Sequence, residues 1–573
     1  MRKLLSWLVP EGSTKLSPRA YLALALVTFV LQLPGWFNLP VVDRDEARYA
    51  QATRQMFESH NFIDIKFADQ DRFLQPIGIY WLQAATAFPF GGDHAPIWAF
   101  RIPSLLASLS LVLLTACFGA RLFDPTSGLA GGLILAPSLL LNAEAHLAKI
   151  DAMLALTTLI AQIALWMSIA HPPDKKRRFV GWPLLFWVAL GLGGLLKGPI
   201  ILLIVGLTII AYGVWQREWR YLLSLNPILG VVIVAAIIAP WLIAIEIDTH
   251  GAFLQHAIGH SFGYKIAHGE QSHGQPPGYH TLLFMLTFFP GVVLAGLGGF
   301  YAWRMRKKRL TRFLLAWILP TWIMFELVAT KLPHYTLPVF PAIALLAGAG
   351  LRDATDQLAT PGGRWWHRVF GLLFLIAACA VTALPLLATN KIGEAVTPFV
   401  ILASIFAAAL LVAGAFLWWK PSAERLLPLL AATGLTYLAL FQFAVPNFKR
   451  LWVSDEIADV AHELHGCAHM SVATAGFTEP SAIFHFGSAT LLGDGKSAVH
   501  HLSTHPGCGL VVVADSERAA FQAELQAEGL QVQKFGEVQG FYYTKGKPIT
   551  LTLYGTDSSA LERGDSGNNG EED

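Results

Sequence analysis

Two stretches of this sequence place charged side chains next to apolar runs, and both contain residue types suited to chemistry on an anionic headgroup. Residues 43–49 hold three carboxylates and two arginines, and residues 330–338 place Lys331, His334 and Tyr335 between two apolar runs. A cation is costly to keep in a membrane, so Lys331 indicates a task such as holding an anion. The alternative is that Lys331 snorkels to the interface while the prolines end a helix.

Asp45 is the better candidate for a catalytic base in the first stretch. Asp43 and Glu46 are three residues apart, which is the spacing of a capping box, so the start of a helix near residue 44 would explain both. Asp45 has no such role, and its carboxylate can accept a proton. A second acid, Asp151, follows Lys149 at the outer end of a predicted span, where the two could also form a plain ion pair.

Basic side chains from separate segments are predicted to meet on one anion. The Gly-Pro pair after Lys197 explains a turn between two short spans, but it does not explain the lysine. Lys197, Lys331 and Arg48 all fall on the same face of the predicted topology, and we expect them to converge.

The segment 247–280 contains six histidines. His256 and His260 are four residues apart and can share a helical face, which leaves a divalent metal possible. The tight spacing of known zinc sites is absent, so contacts with an acceptor headgroup or a plain polar loop are the favoured alternatives. No cofactor follows with certainty from the sequence.

The composition is that of a multi-pass membrane protein. Of the 573 residues, 54% are hydrophobic and only 14% are charged. Apolar runs long enough to span a bilayer predict about thirteen helices. The predicted spans are 20–40, 101–120, 128–147, 150–170, 182–196, 200–215, 227–246, 280–300, 311–330, 335–350, 369–389, 398–418 and 426–446.

The distribution of basic residues predicts the orientation. Short loops rich in lysine and arginine, such as 175–178 and 304–312, indicate the cytoplasmic side. An odd number of spans then places the long loops 41–100 and 247–280, and everything after residue 446, on the opposite face. We therefore expect a bacterial inner-membrane protein whose active site faces the periplasm.

Three parts are expected along the chain: a transmembrane domain at 1–446, a small periplasmic α/β domain at 447–555 and a disordered tail at 556–573. Strand patterns at 470–475, 510–514 and 549–554 and an amphipathic helix at 517–530 define the second part. Cys467 and Cys508 fall in this oxidising compartment, so a disulfide between them is expected.

Several short motifs occur in an order that resembles the bacterial aminoarabinose transferases of lipid A. Rhizobial lipid A galacturonosyltransferases are similar too, within the larger group that includes protein O-mannosyltransferases. The motifs are Asp45-Glu46-Ala47-Arg48-Tyr49-Ala50, Pro76 to Leu82, Asp151, Leu196-Lys197-Gly198-Pro199, and Lys331-Leu332-Pro333-His334-Tyr335 followed by Pro338 and Pro341.

This resemblance implies a GT-C fold, all-helical in the membrane, and an inverting glycosyltransferase. The donor would be a sugar on polyprenyl phosphate, and the acceptor a lipid or glycan of the envelope such as lipid A. Asp45 would be the essential acid and Asp151 its partner, with Lys197 and Lys331 near the donor phosphate or the acceptor. The further substrate-binding candidates are Arg48, Tyr49, Arg72, Gln75, Lys149, His334 and Tyr335.

The sequence departs from the family at one position. Relatives commonly have Glu-Lys-Pro where this chain has Leu74-Gln75-Pro76. In that family the lysine is linked to the donor phosphate and the glutamate to a metal. Gln75 brings no charge and Leu74 cannot ligate a metal, so Arg72 or Arg48 would have to compensate.

Two alternative functions remain at this point. A protein O-glycosyltransferase would keep the chemistry and change the acceptor, whereas a lipid or glycan transporter would explain the basic residues but leave Asp45 without a task. No internal repeat of the kind common in transporters is evident. The expected partners are the lipid-linked donor, the acceptor and membrane lipids, with no nucleic acid, and the protein is expected to be a monomer.

Overall fold

A helical membrane part is followed by a small α/β domain. The structure, a computed structural model, describes residues 7–10, 12–171, 181–256, 274–467, 469–556 and 560–563. The helical part extends to Asn447, and the first helix of the α/β domain begins at Val453.

Each of the thirteen predicted spans has a helical counterpart in the described part of the chain. Eight helices are long and apolar enough to cross a membrane: Ile97–Leu122, Asp151–Ala170, Pro227–Asp248, Arg309–Leu327, Pro333–Arg352, Pro361–Ile392, Pro398–Trp419 and Ala423–Asn447. The pair Pro125–Leu135 and Leu139–Ala145, bent by 65°, makes a ninth. Three shorter apolar helices are Pro18–Gln32, Trp182–Lys197 and Ile200–Gln216. The remaining prediction, 280–300, is two helices, Tyr279–Thr287 and Val292–Arg304.

Two span predictions differ from the structure in their bounds. The first helix ends at Gln32 instead of near residue 40, because Pro34 and Gly35 begin a run of turns. The span at 280–300 is interrupted between residues 288 and 291, where Pro290 cannot donate a backbone hydrogen bond to a continuous helix.

Small residues let the central helices approach closely. A Cβ added to Gly128 would lie 2.5 Å from the carbonyl oxygen of Ala116 and 2.3 Å from the nitrogen of Ala120. At Gly348 it would lie 2.4 Å from the carbonyl oxygen of Ser127. Because lipid tails are as apolar as leucine, such close backbone packing is a main source of association between membrane helices.

The first long loop contains the elements that carry the candidate acids. It consists of helix Asp45–Ser59, a short hairpin of Lys66–Phe67 with Gln70–Asp71, and helix Gly78–Ala87. A Cβ on Gly78 would lie 2.7 Å from the carbonyl oxygen of Leu195, so this second helix packs directly on the end of helix Trp182–Lys197. The loop is therefore fixed against the segment that contains Lys197.

The α/β domain is built on a five-stranded sheet. In spatial order its strands are Leu491–Gly493, Ser471–Ala475, Gly509–Ala514, Lys547–Thr556 and Val532–Tyr542. The first three are parallel and the last two antiparallel to their neighbours. Its helices are Val453–His462, Pro480–Phe486, Gly495–Thr504 and Arg518–Glu528. Three strands and the last helix match the sequence predictions to within a few residues.

Cys467 and Cys508 form a disulfide in the structure, as expected. The tail prediction was wrong in part. Thr556 ends a strand, and Glu562–Arg563 pairs with Leu464–His465 in a two-stranded sheet. The rest of the predicted tail, 557–559 and 564–573, lies outside the described residues.

Candidate active site

Asp151 and Lys197 form the tightest ion pair of the site. Asp151 is the first residue of helix Asp151–Ala170, and Lys197 is the last residue of helix Trp182–Lys197. The lysine Nζ lies 2.5 Å from Asp151 Oδ1, and the aspartate is buried. Lys197 also lies over the ring of Tyr335, 5.5 Å from its centroid. Three segments far apart in sequence therefore meet here.

Lys149 occupies the centre of a buried polar cluster. Its Nζ lies 3.1 Å from Glu144 Oε1, 3.6 Å from Asp151 Oδ2 and 3.3 Å from His334 Nδ1. His334 Nε2 in turn lies 3.6 Å from Asp151 Oδ2. Lys149 therefore does pair with Asp151, as one of the sequence interpretations had it. The pair belongs to a larger network that includes Glu144, an acid that the sequence reasoning did not identify.

The donor atoms of Glu144, Asp151 and His334 lie within 4.8 Å of one another, a grouping with the chemistry of a metal site. The ammonium of Lys149 lies between them, and Lys197 binds Asp151 as well. Two carboxylates are already balanced by two ammonium groups, so a divalent cation would leave a large excess of buried positive charge. These residues do not fit a metal ion.

Asp45 lies at the first position of its helix and is partly exposed. Its charge acts on Arg48, Arg72 and Lys149. Within the described residues its carboxylate has no hydrogen bond or ion pair of its own. It is therefore the carboxylate of this group that remains available to a substrate.

Arg48 and Arg72 bring two like charges together beside Asp45. Burial, and then the charge of Arg72, lower the pKa of Arg48. Arg72 is buried, its Nε donates to the Tyr80 hydroxyl at 3.1 Å, and its guanidinium lies 5.2 Å from the centre of the Tyr49 ring. An anion bound between the two arginines would relieve their repulsion.

Glu46 and Arg101, which the sequence reasoning did not connect, tie the two acid-bearing segments together. Both side chains are fully buried, with Arg101 Nε 2.8 Å from Glu46 Oε1. Glu46 also accepts the backbone N–H of Ala148 at 2.7 Å and that of Val42 at 2.9 Å. Arg101 donates to the carbonyl of Leu39 at 2.7 Å. The pair holds the start of the Asp45 helix against the turn that leads to Asp151.

The capping-box prediction for Asp43 and Glu46 was wrong. Arg44 is the residue that precedes the helix, and no side chain caps it. Glu46 is occupied with Arg101, and the Asp43 carboxylate accepts the backbone N–H of Ser481 at 3.1 Å. A tertiary contact has replaced the local one.

Lys331 is bound by backbone carbonyls. Its Nζ donates to the backbone carbonyls of Gln275 at 2.8 Å and Val328 at 2.6 Å, and the residue is buried. Its charge acts on His280, whose ring stacks with that of Tyr335 at 6.3 Å. The convergence of Lys197, Lys331 and Arg48 on one anion stays a prediction, and the second ammonium beside Asp151 is that of Lys149.

Leu74 and Gln75 follow the hairpin that carries Arg72, with Leu74 exposed and Gln75 half-buried. His260 lies outside the described residues, as does the side chain of His256, so the structure does not bear on whether that pair can bind a metal.

The chain was compared with known proteins. Residues 74–243 match the family model described as dolichyl-phosphate-mannose-protein mannosyltransferase. The undecaprenyl phosphate-α-4-amino-4-deoxy-L-arabinose arabinosyl transferase of Pseudomonas paraeruginosa is 30% identical over 435 residues, which cover 74% of this chain and 76% of that protein. The chain belongs to this arabinosyl transferase family. The enzyme of the same name from Erwinia tasmaniensis is 29% identical over 65% of this chain and 66% of its own.

Solved structures show that the arabinosyl transferase fold extends over nearly the whole chain. The apo structure of ArnT from Cupriavidus metallidurans superposes with a TM-score of 0.72 at 20% identity, covering 93% of this chain and 97% of that one. The structure of the same protein bound to undecaprenyl phosphate gives a TM-score of 0.71 at 19% identity, with the same coverage. The GT-C fold predicted from the sequence, with its small C-terminal α/β domain, is confirmed.

Proposed function

We propose that this protein is an inverting glycosyltransferase that moves a sugar from a polyprenyl phosphate donor to lipid A or another envelope lipid or glycan. The active site faces the periplasm from the inner membrane, and one chain supplies all of its residues, so that a monomer suffices. The observation that carries the proposal is an available carboxylate, Asp45, whose charge acts on two arginines, Arg48 and Arg72, while Arg72 in turn repels Arg48. Transfer from a lipid phosphate requires such a combination of a base and an anion site.

Arg48 and Arg72 are assigned to the donor phosphate. When the bond between the sugar C1 and the phosphate oxygen breaks, its electron pair stays on the phosphate, and two guanidinium groups stabilise the charge that develops. Arg72 thereby supplies the positive charge that Gln75 lacks. Tyr49 and Tyr80 hold Arg72 in place through the ring contact and the hydrogen bond described above.

Asp45 is assigned the role of the base that takes the proton of the acceptor. The acceptor oxygen attacks C1 on the face opposite the departing phosphate, so the configuration inverts, and its proton passes to Asp45. Asp151 is not a second base in this scheme. Its carboxylate orients Lys197, which with Tyr335 lines the acceptor side. No step is assigned to a metal ion, because Lys149 already lies among the three side chains that would bind one.

Purified protein in lipid vesicles, given undecaprenyl phosphate carrying a radiolabelled aminoarabinose together with lipid A, tests the proposal. Radioactivity should move to lipid A. Mass spectrometry should show the modified lipid A and the accumulation of free undecaprenyl phosphate. Transfer to a protein acceptor would favour the O-glycosyltransferase alternative. Movement of the intact donor across the bilayer without transfer would show a transporter and refute the enzyme.

A further inference from the structure

The segment before Asp45 is bound by the outer α/β domain. The backbone N–H of Asp43 donates to the Tyr543 hydroxyl at 2.6 Å. The Asp43 carboxylate accepts the N–H of Ser481 at 3.1 Å, at the start of helix Pro480–Phe486. Two elements of the domain, a helix and the hairpin after Tyr542, thus hold one residue of the membrane part.

Arg44, between Asp43 and Asp45, has a backbone conformation that its surroundings must maintain. Its φ is 68° and its ψ is −105°, in a region that side chains other than glycine rarely adopt. Its guanidinium donates to the carbonyl of Thr544 at 2.9 Å. Such conformations persist only where contacts around them fix the chain, and here those contacts come from the outer domain.

Further contacts follow the same helix. Arg54 donates to the carbonyl of Phe484 at 2.6 Å and lies 3.9 Å over the centre of its ring. Ser488 donates to Glu58 at 2.8 Å. The domain therefore contacts the two residues that precede helix Asp45–Ser59 and two side chains in its second half, Arg54 and Glu58.

From these contacts we infer that the outer domain positions Asp45 for catalysis, with Asp43 and Tyr543 as positioning residues. The inference rests on the proposed function, in which Asp45 is the base. Asp45 begins its helix directly after the two residues that the domain binds, so loosening either contact lets the carboxylate shift relative to Arg48 and Arg72. A shift of about 1 Å in a catalytic group is enough to lower a rate by up to about 100-fold.

Three variants and a matched control test this inference in the full-length protein. Tyr543→Phe removes the acceptor of the Asp43 N–H, Asp43→Ala removes the acceptor of the Ser481 N–H, and Asp43→Asn keeps an oxygen there. Tyr542→Phe is the control, because among the described residues the neighbouring Tyr542 hydroxyl hydrogen-bonds only with Thr478 of the same domain, at 3.4 Å from its backbone nitrogen. Two measurements are made: kcat and KM for the donor, and hydrogen exchange of a peptide covering residues 42–49.

Tyr543→Phe and Asp43→Ala should lower kcat by about 10- to 100-fold with KM nearly unchanged, and both should speed exchange of the peptide. The kcat and exchange rate of Asp43→Asn should lie nearer those of the native protein, and those of Tyr542→Phe should equal the native values. Faster exchange with unchanged kcat, or no change in either, overturns the inference. Native turnover in Asp45→Asn instead refutes the proposed base, and the exchange data then still show whether the domain holds the segment.

Discussion

Lys197 Nζ lies 2.5 Å from Asp151 Oδ1, and this buried pair decides which of the two candidate acids is free to react. A carboxylate bound by Lys197 and lying 3.6 Å from Lys149 is stabilised in its charged form and makes a poor base. Asp45 is beside positive charges but has no ion pair within the described residues. In the proposed mechanism the two acids therefore have different tasks: Asp151 is structural and electrostatic, and Asp45 is the base.

Asp45→Asn should lower turnover by about 100- to 10,000-fold, the usual contribution of general base catalysis. Size and most hydrogen bonding are retained, so the melting temperature should stay near that of the native protein. The rate is measured as sugar transfer to lipid A by the purified enzyme. Near-normal turnover would contradict the assignment.

Asp151→Asn should behave differently, because it leaves the buried Lys197 without the counter-charge that Asp151 supplies, while Lys149 keeps Glu144. We expect a clearly lower melting temperature and yield together with a lower rate, since breaking a buried pair costs about 3–5 kcal/mol. A stable Asp151→Asn protein with no turnover, next to an active Asp45→Asn protein, would exchange the roles of the two acids.

Arg101→Met should destabilise the membrane part, because it leaves the Glu46 carboxylate buried with only backbone partners. The double variant Arg101→Met/Glu46→Gln should recover part of the loss, since no uncompensated charge remains. Thermal unfolding in detergent measures both. Additive effects of the two single changes would show that the pair does not act as a unit.

Arg72→Ala should raise KM for the lipid-linked donor and lower kcat, because a guanidinium at the phosphate is lost. Gln75→Ala is the matched control in the same loop, and it should cost only about one neutral hydrogen bond, roughly 0.5–1.5 kcal/mol. Gln75→Lys should be tolerated. If Gln75→Ala abolishes turnover while Arg72→Ala does not, the phosphate lies at Gln75 instead.

Docking of the outer domain should weaken as the pH rises. Burial, and then the charge of Glu479, raise the pKa of Asp43 from 3.8 to about 7, and Tyr543 is the other ionisable group that acts on it. An acid whose pKa is raised by folding stabilises the folded state fully below its ordinary pKa, and this contribution is lost as the pH passes about 7. Protection of residues 42–49 from hydrogen exchange, corrected for the intrinsic rate at each pH, should therefore be greater at about pH 5 than at about pH 8. Asp43→Asn should remove the difference.

A metal chelator should leave the transfer rate unchanged, since Lys149 takes the position between Glu144, Asp151 and His334. Lys149→Ala removes the ammonium group from among these three side chains, so that they can bind a metal ion. Zinc bound to the purified variant should then rise toward one per chain. Lys149→Ala/His334→Ala, which lacks one ligand, is the control and should not bind. Loss of native activity on chelation would contradict this reading.

The sequence by itself determined the membrane part, because spanning helices follow from the length and polarity of apolar runs. It also separated the α/β domain and indicated the disulfide of Cys467 with Cys508. These features depend on composition and on neighbours along the chain, which a single sequence records.

Only the tertiary structure decided which charges meet. Glu46 and Arg101 are 55 residues apart, and Lys149 and His334 are 185 apart, so no local pattern links them. For the same reason Asp43 was assigned to a helix cap, whereas its carboxylate accepts a hydrogen bond from Ser481. The backbone carbonyls that bind Lys331 could not be foreseen either. A buried charge takes whichever partner the packing brings within reach, and that choice depends on how the helices and the outer domain come together.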